Sequence, residues 1–168
     1  MPEIAIDACV FVHLLNPQNN KDSHIDRLLR QLIKDSFMLL MDSTGRIGKD
    51  YEAQVKPMIK STSDTGGQLY LLRYWMQNER RVTVQLDQTD RLMAAIRNII
   101  FEVAEHADRA FVYVACRRNA TLVTNDAAHI LDRRSALLKK TKRWQGNSTD
   151  ILSSINAASH FCHNGGQS

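Results

Sequence analysis

The sequence predicts a three-layer α/β/α sandwich around a central, mainly parallel sheet, and three observations carry that expectation. Short apolar runs at 4–6, 37–41 and 121–124 are bounded by Asp, Asn, Ser or Gly and read as strands. The runs are continuous rather than alternating, as a strand requires when both of its faces are covered. Between them lie segments with apolar residues at helical spacing, clearest at Ile25, Leu28, Leu29, Leu32 and Ile33. Strand alternating with helix is the pattern of a parallel sheet covered on both sides.

Each element follows in order. Ile4 to Ile6 form the first strand, which ends at Asp7, and a short helix over 8–15 stops at Asn16-Pro17. Ser23 is placed to cap the next helix. The second strand closes on the turn-forming residues Asp42, Ser43, Thr44 and Gly45, before one helix with the stripe Ile47, Tyr51, Val55 and Ile59. Residues 60–67 read as a loop, 68–78 as a helix, and 82–86 as a further strand. A long helix is expected from Asp90 to about Val103, then one from Asp108 to Arg118 with Asn119 as its stop. After the strand 121–124, helical segments are expected near 128–131, 135–143 and 149–158.

The chain has 168 residues, 43% hydrophobic and 24% charged, which fits one domain on a scale of roughly 100–200 residues per domain. We expect that domain over 1–158, with 159–168 as a flexible C-terminal tail. No apolar run approaches the roughly 18 residues of a membrane span. Three distant cysteines, an odd number, exclude a disulfide framework and suit a reducing compartment, so a cytoplasmic location is expected.

The net charge is +4, but residues 109–143 alone carry nine basic side chains against two acids. That segment suggests a polyanion partner, although a solvated helix face would look the same. Arg133, Arg134, Lys139, Lys140, Lys142 and Arg143 are the candidates for following a nucleic-acid backbone.

In a parallel sheet, ligands bind beyond the carboxyl ends of the strands. Asp7 and Asp126 each follow a strand, and Asp108 leads the helix stripe that includes Phe111, Val112 and Ala115. Asp50 and Glu52 flank Tyr51, and at about 100° per residue only one of them can face such a site. Each acid taken singly could be a helix cap or a turn residue. Together they form a cluster that repels itself unless a cation lies between the carboxylates. An all-oxygen set favours Mg²⁺ or Mn²⁺ over Zn²⁺. Thr124 and Asn125 are secondary candidates, able to hydrogen-bond a carboxylate or a phosphate. His13 and His129 flank the first and last acids and read more readily as surface or satisfied histidines.

Four segments resemble the acidic stations of PIN-domain nucleases. They are Ile6-Asp7-Ala8-Cys9-Val10-Phe11, Lys49-Asp50-Tyr51-Glu52, Asp108-Arg109-Ala110-Phe111, and Leu122-Val123-Thr124-Asn125-Asp126. The resemblance spans about residues 4–130 and departs from the family at Asp50, where the family more often has Glu. It implies a Mg²⁺- or Mn²⁺-dependent endoribonuclease that hydrolyses single-stranded RNA, frequently the toxin of a toxin–antitoxin pair. In that role Asp7, Asp108 and Asp126 would hold metal, and Asp50 would complete the catalytic set, with Glu52 as its substitute. RNA, an antitoxin protein and a second copy of the chain are the partners this reading admits. The competing reading is a catalytically weak PIN-like module that binds RNA or protein.

Overall fold

The computed structural model describes residues 1–16, 24–61, 67–101, 107–145 and 150–163, with side chains described except at 61, 141–145 and 163. Five strands form one sheet: β1 (Glu3–Ile6), β2 (Met38–Asp42), β3 (Arg81–Val84), β4 (Thr121–Val123) and β5 (Ile151–Leu152). Their order is β3-β2-β1-β4-β5 and every pairing is parallel. The α/β class expected from the sequence is therefore the class observed.

Nine helices are described: α1 (Ala8–Leu15), α2 (His24–Lys34), α3 (Arg46–Gln54), α4 (Lys56–Ser61), α5 (Gln68–Trp75), α6 (Arg91–Arg97), α7 (Asp108–Arg118), α8 (Arg134–Gln145) and α9 (Ser154–His163). From β1 the chain steps outward to β2 and β3, then returns past β1 to β4 and β5. With right-handed crossovers, those two runs of connections lie on opposite faces of the sheet. Accordingly α7 packs along β1 to β4 with α6 and α8 against it, while α2 packs with α9, α1 and α5. The reversal of direction falls between β1 and β4, which opens a crevice at their carboxyl ends.

The apolar pattern explains the layers. Ile4, Ala5, Ile6, Leu39, Leu40, Leu122 and Val123 are all fully buried, as continuous strand runs in a covered sheet must be. Helix α7 is buried over nearly its whole length, from Ala110 to Cys116, so it reads as a core helix and not an amphipathic one. Its end is where the sequence places it: Asn119 takes the left-handed conformation (φ 51°).

Several boundaries differ from the expectation. The single helix expected across Tyr51, Val55 and Ile59 breaks at Val55 into α3 and α4. Pro57 is the reason, since it has no N–H to give the preceding turn and its ring crowds the carbonyl four residues before it. The helix expected from Asp90 to Val103 is shorter: Asp90 does cap it, but it ends at Arg97 with Asn98 as its C-cap. Residues 102–106, and the Ser23 cap, lie outside the described residues. The segment expected to be helical from 149 instead pairs as β5 before α9 begins. Two residues are too short to show a period, so only the open edge of β4 reveals that strand. Residues 159–163, expected in a flexible tail, are the last turns of α9, with Phe161 edge-on to Phe37 at 5.4 Å.

Asp42 illustrates how a strand-end acid can be wholly structural. Its Oδ2 accepts from the amides of Thr44 and Arg46, both at 3.1 Å, and from the Thr44 hydroxyl, while Oδ1 accepts from Ile47 N at 2.8 Å. It caps the start of α3, where Gly45 takes the left-handed conformation (φ 76°). Tyr51 then ties α3 to β1, its buried hydroxyl donating to the Ile6 carbonyl at 2.5 Å. Replacing Tyr51 by Phe is expected to cost about 1–3 kcal/mol, because a buried carbonyl loses a partner that water does not replace. Urea unfolding of the two proteins checks this; equal midpoints would show that the bond contributes nothing.

Candidate metal centre

Asp7 ends the β1 run and Asp126 follows β4, so the switch in strand order sets them on either side of the same crevice. Asp7 is 4% exposed and is the N-cap of α1, its Oδ1 accepting from Cys9 N at 3.2 Å. Its other oxygen, Oδ2, accepts from the hydroxyl of Thr124 at 2.6 Å. Burial raises the Asp7 carboxyl pKa, the Thr124 and Cys9 hydrogen bonds oppose that rise, and the charge of Asp126 adds to it. The cap reading of Asp7 is met by Oδ1, while Oδ2 is turned to the Thr124 hydroxyl.

Thr124 is fully buried and links the two acids, donating to Asp7 while accepting from the Asp126 amide at 3.0 Å. Of its two sequence-level roles, the carboxylate contact is the one present. Asn125 is used at both ends of its amide. Nδ2 meets His13 Nδ1 at 2.9 Å, and Oδ1 accepts from Ser154 N at 3.0 Å, which joins α1 to the start of α9. Cys9 packs into the same corner, 3.3 Å from the Asn125 amide, and burial pushes its thiol pKa well up, which disfavours the thiolate.

Asp108 lies in the first turn of α7, where the N-cap position belongs to Ala107. Asp108 is therefore not itself the N-cap residue. It is 5% exposed, and the turn after β4 brings His129 and Asp126 to it. His129 Nδ1 lies 2.9 Å from Asp126 Oδ2 and 3.9 Å from Asp108 Oδ2. Among the described residues these three could hold a metal ion, with one ligand atom of each within 4.8 Å of the others. Asp108 is buried while Asp126 and His129 are partly open, so the group faces solvent on one side.

His129 is the functional candidate that sequence reasoning undervalued. Its signal was only its place three residues after Asp126, an ordinary turn spacing; its proximity to Asp108 depends on an element far away in the chain. The hydrogen bond and charge of Asp126, with a smaller contribution from Asp108, raise the His129 pKa. A protonated imidazole here offsets part of the charge of two facing carboxylates. The group that could hold an ion thus offers an imidazole nitrogen as well as the carboxylate oxygens expected, and imidazole broadens the choice toward transition ions. These residues fit a divalent metal by donor chemistry.

The remaining expected residues divide. Asp50 is 3% exposed and accepts from Gln54 Nε2 at 2.5 Å, whereas Glu52 is exposed and lines a cavity of about 370 Å³ with Lys56 and Arg81. The carboxylates of Asp7 and Asp50 both act on the Tyr51 hydroxyl, whose pKa is raised first by burial, then by Asp7 and further by Asp50. Arg134 is engaged within the protein, donating from Nε to the Ile151 carbonyl at 2.6 Å and from Nη2 to Asp150 at 3.4 Å. Arg133 Nη1 donates to the Ala128 carbonyl at 2.7 Å, and its guanidinium lies 5.9 Å from the ring of Phe101. Lys139 and Lys140 are exposed on α8, while the side chains of Lys142 and Arg143 lie outside the described residues.

No family model matches the chain, and no curated protein does. Among solved structures, it is similar to a chain from the structure described as FitAB bound to an IR36 DNA fragment. The identity is 16%, over 90% of this chain and 95% of that one, with a TM-score of 0.46. At that level the likeness says nothing about activity. No helix among the described residues is long and apolar enough to cross a membrane.

Proposed function

We propose that the chain is a PIN-type, divalent-metal-dependent endoribonuclease that hydrolyses phosphodiester bonds in single-stranded RNA. The observation that carries the reading is the convergence of Asp108, Asp126 and His129 at the carboxyl edge of a parallel sheet, where its strand order reverses. Asp108 and Asp126 would hold the ion, with His129 as a third donor. A bound ion lowers the pKa of a water and polarises the phosphoryl oxygens. Thr124 fixes the turn that carries Asp126 by accepting its amide. Asp7 is reached through that same threonine, so in this proposal it holds the metal site in shape and supplies negative charge from beneath. Asp50 is the second acidic station in preference to the exposed Glu52.

The donor set makes Mn²⁺ the expected better cofactor and Mg²⁺ the weaker one. Lys139 and Lys140, with Lys142 and Arg143, remain the proposed backbone contacts, and Arg133 and Arg134 become braces with a lesser share. An antitoxin protein, a second copy of the chain and a cytoplasmic setting extend the proposal from the same family resemblance.

The test is cleavage of a single-stranded RNA in metal-free buffer with Mn²⁺, Mg²⁺ or EDTA added. Cleavage restored by Mn²⁺, with 5′-phosphate and 3′-hydroxyl ends, is the expected result. Activity that survives EDTA, or 2′,3′-cyclic phosphate ends, would overturn it. One observation favours the second reading, a weakly catalytic binding module: Asp7 and Asp50 are not among the tight ligand group. That reading expects RNA binding with no Mn²⁺-dependent cleavage.

A further inference from the structure

Among the described residues, Met1, Tyr70, Phe101 and Ile155 are the large apolar side chains left exposed, and Phe101 shows 69% of its surface. One exposed apolar side chain is ordinary, because polar groups alone cannot cover a domain. What sets Phe101 apart is how it is held. The chain leaves α6 through a turn in which the amides of Ile99 and Ile100 both donate to the Ile96 carbonyl, at 3.0 and 2.8 Å. Ile100 is fully buried, and its own carbonyl accepts from Arg109 Nε at 2.9 Å. The backbone is thus anchored immediately before a ring that stands in solvent.

The ring has a second support. The Arg133 guanidinium lies 5.9 Å from its centroid, within the range of a cation–π contact. That guanidinium is fixed in turn, Nη1 donating to the carbonyls of Ala128 at 2.7 Å and His129 at 3.4 Å. Both supports therefore come from neighbours of the candidate metal centre: Arg109 adjoins Asp108 in α7, and Arg133 rests on the main chain of His129. Helix α8 begins directly after Arg133, packs against α6 and α7, and carries the exposed Lys139 and Lys140.

An aromatic face set among cations favours one kind of occupant. A nucleobase offers a π face to the ring, and the strand that carries it brings phosphate charge to the basic side chains. In a duplex both faces of a base are covered by its neighbours, so only an unpaired base is free to stack on a side chain. Stacking reads no pattern of donors and acceptors, so such a contact tolerates any base.

We propose that Phe101, backed by Arg133, is a stacking platform for one unpaired nucleobase of the RNA strand whose phosphate lies at the metal centre. The choice of RNA rests on the nuclease reading. An apolar patch on a protein partner is the rival occupant, and the measurements below separate the two.

The experiment measures binding of a labelled single-stranded RNA, and of the same RNA as a duplex, to the full chain in EDTA by fluorescence anisotropy at four salt concentrations. Phe101→Ala is expected to weaken single-strand binding by about 5- to 150-fold and to leave duplex binding unchanged. Phe101→Leu, which keeps apolar bulk without a π face, should be nearly as weak, and Phe101→Trp should bind at least as tightly as wild type. The slope of log affinity against log salt should stay the same in all three, since the platform touches no phosphate, whereas each lost phosphate contact would flatten it by about 0.7. No RNA binding by wild type overturns the platform, as does equal single-strand binding by wild type and Phe101→Ala, which would leave the ring to a protein contact. Full affinity in Phe101→Leu, a Trp variant as weak as Phe101→Ala, a flattened slope, or an equal loss on the duplex each overturns stacking. Because binding is read without metal, absence of Mn²⁺-dependent cleavage tells against the nuclease reading alone, and cleavage with no effect of Phe101→Ala on binding tells against the platform alone.

Discussion

Asp126→Asn is expected to lower Mn²⁺-dependent RNA cleavage by about a thousandfold, since several kcal/mol of charge stabilisation is at stake and each 1.36 kcal/mol is tenfold in rate. The substitution removes one negative charge from the ligand group while keeping Oδ1 as an acceptor for the His129 amide, now at 3.0 Å. The turn after β4 should therefore survive, and far-UV circular dichroism should not change. Calorimetric titration of Mn²⁺ separates binding from chemistry: the proposal expects affinity and rate to fall together. Asp108→Asn should match it. Thr124→Val is expected to cost less, about 10–100-fold, as partners that orient ligands usually do. Unchanged Mn²⁺ binding in Asp126→Asn would remove this group as the metal site.

Phe111→Ala is expected to destabilise the protein by about 3–5 kcal/mol, the usual cost of deleting a fully buried aromatic ring from a core. Phe111 has no exposed surface, and its ring lies 5.8 Å from Tyr51, which in turn lies 5.6 Å from Phe11. Rings from α1, α3 and α7 thus meet under the strand ends that carry Asp7, so a cavity there would loosen both the core and the support of the site. Against a typical total of about 5–15 kcal/mol, such a loss is a large fraction of the stability. At roughly 2–4 °C per kcal/mol for a chain of this size, the melting midpoint should fall by about 6–20 °C. Phe101, 69% exposed, is the matched control, and its substitution by Ala should change stability by no more than about 0.5 kcal/mol. Equal effects at the two positions would show that the packing described for α7 is wrong.

The sequence by itself determined the class of fold and the positions of its main elements. Continuous apolar runs mark buried parallel strands, because both faces of such a strand are covered; β1, β2 and β4 follow from that alone. Local chemistry also set several ends, with Asp7 and Asp90 as caps and Asn119 as the left-handed stop, since each acts within a few residues of itself. Two acids of the candidate centre, Asp108 and Asp126, were legible because the carboxyl ends of strands and the helix starts beside them lie on one edge of such a sheet.

Only the tertiary structure decided what depends on residues far apart in the chain. It separated Asp50, which is buried, from Glu52, which is not, because the face of α3 that is covered depends on what packs against it. It brought His129 to the two acids, setting an imidazole nitrogen beside carboxylates that could hold an ion. The same packing engaged Arg133 and Arg134 with backbone carbonyls and gathered Arg46, Arg97 and Arg109 from three helices around one cavity. Charge counted along a sequence carries no direction, and direction is fixed only when distant helices dock on the sheet.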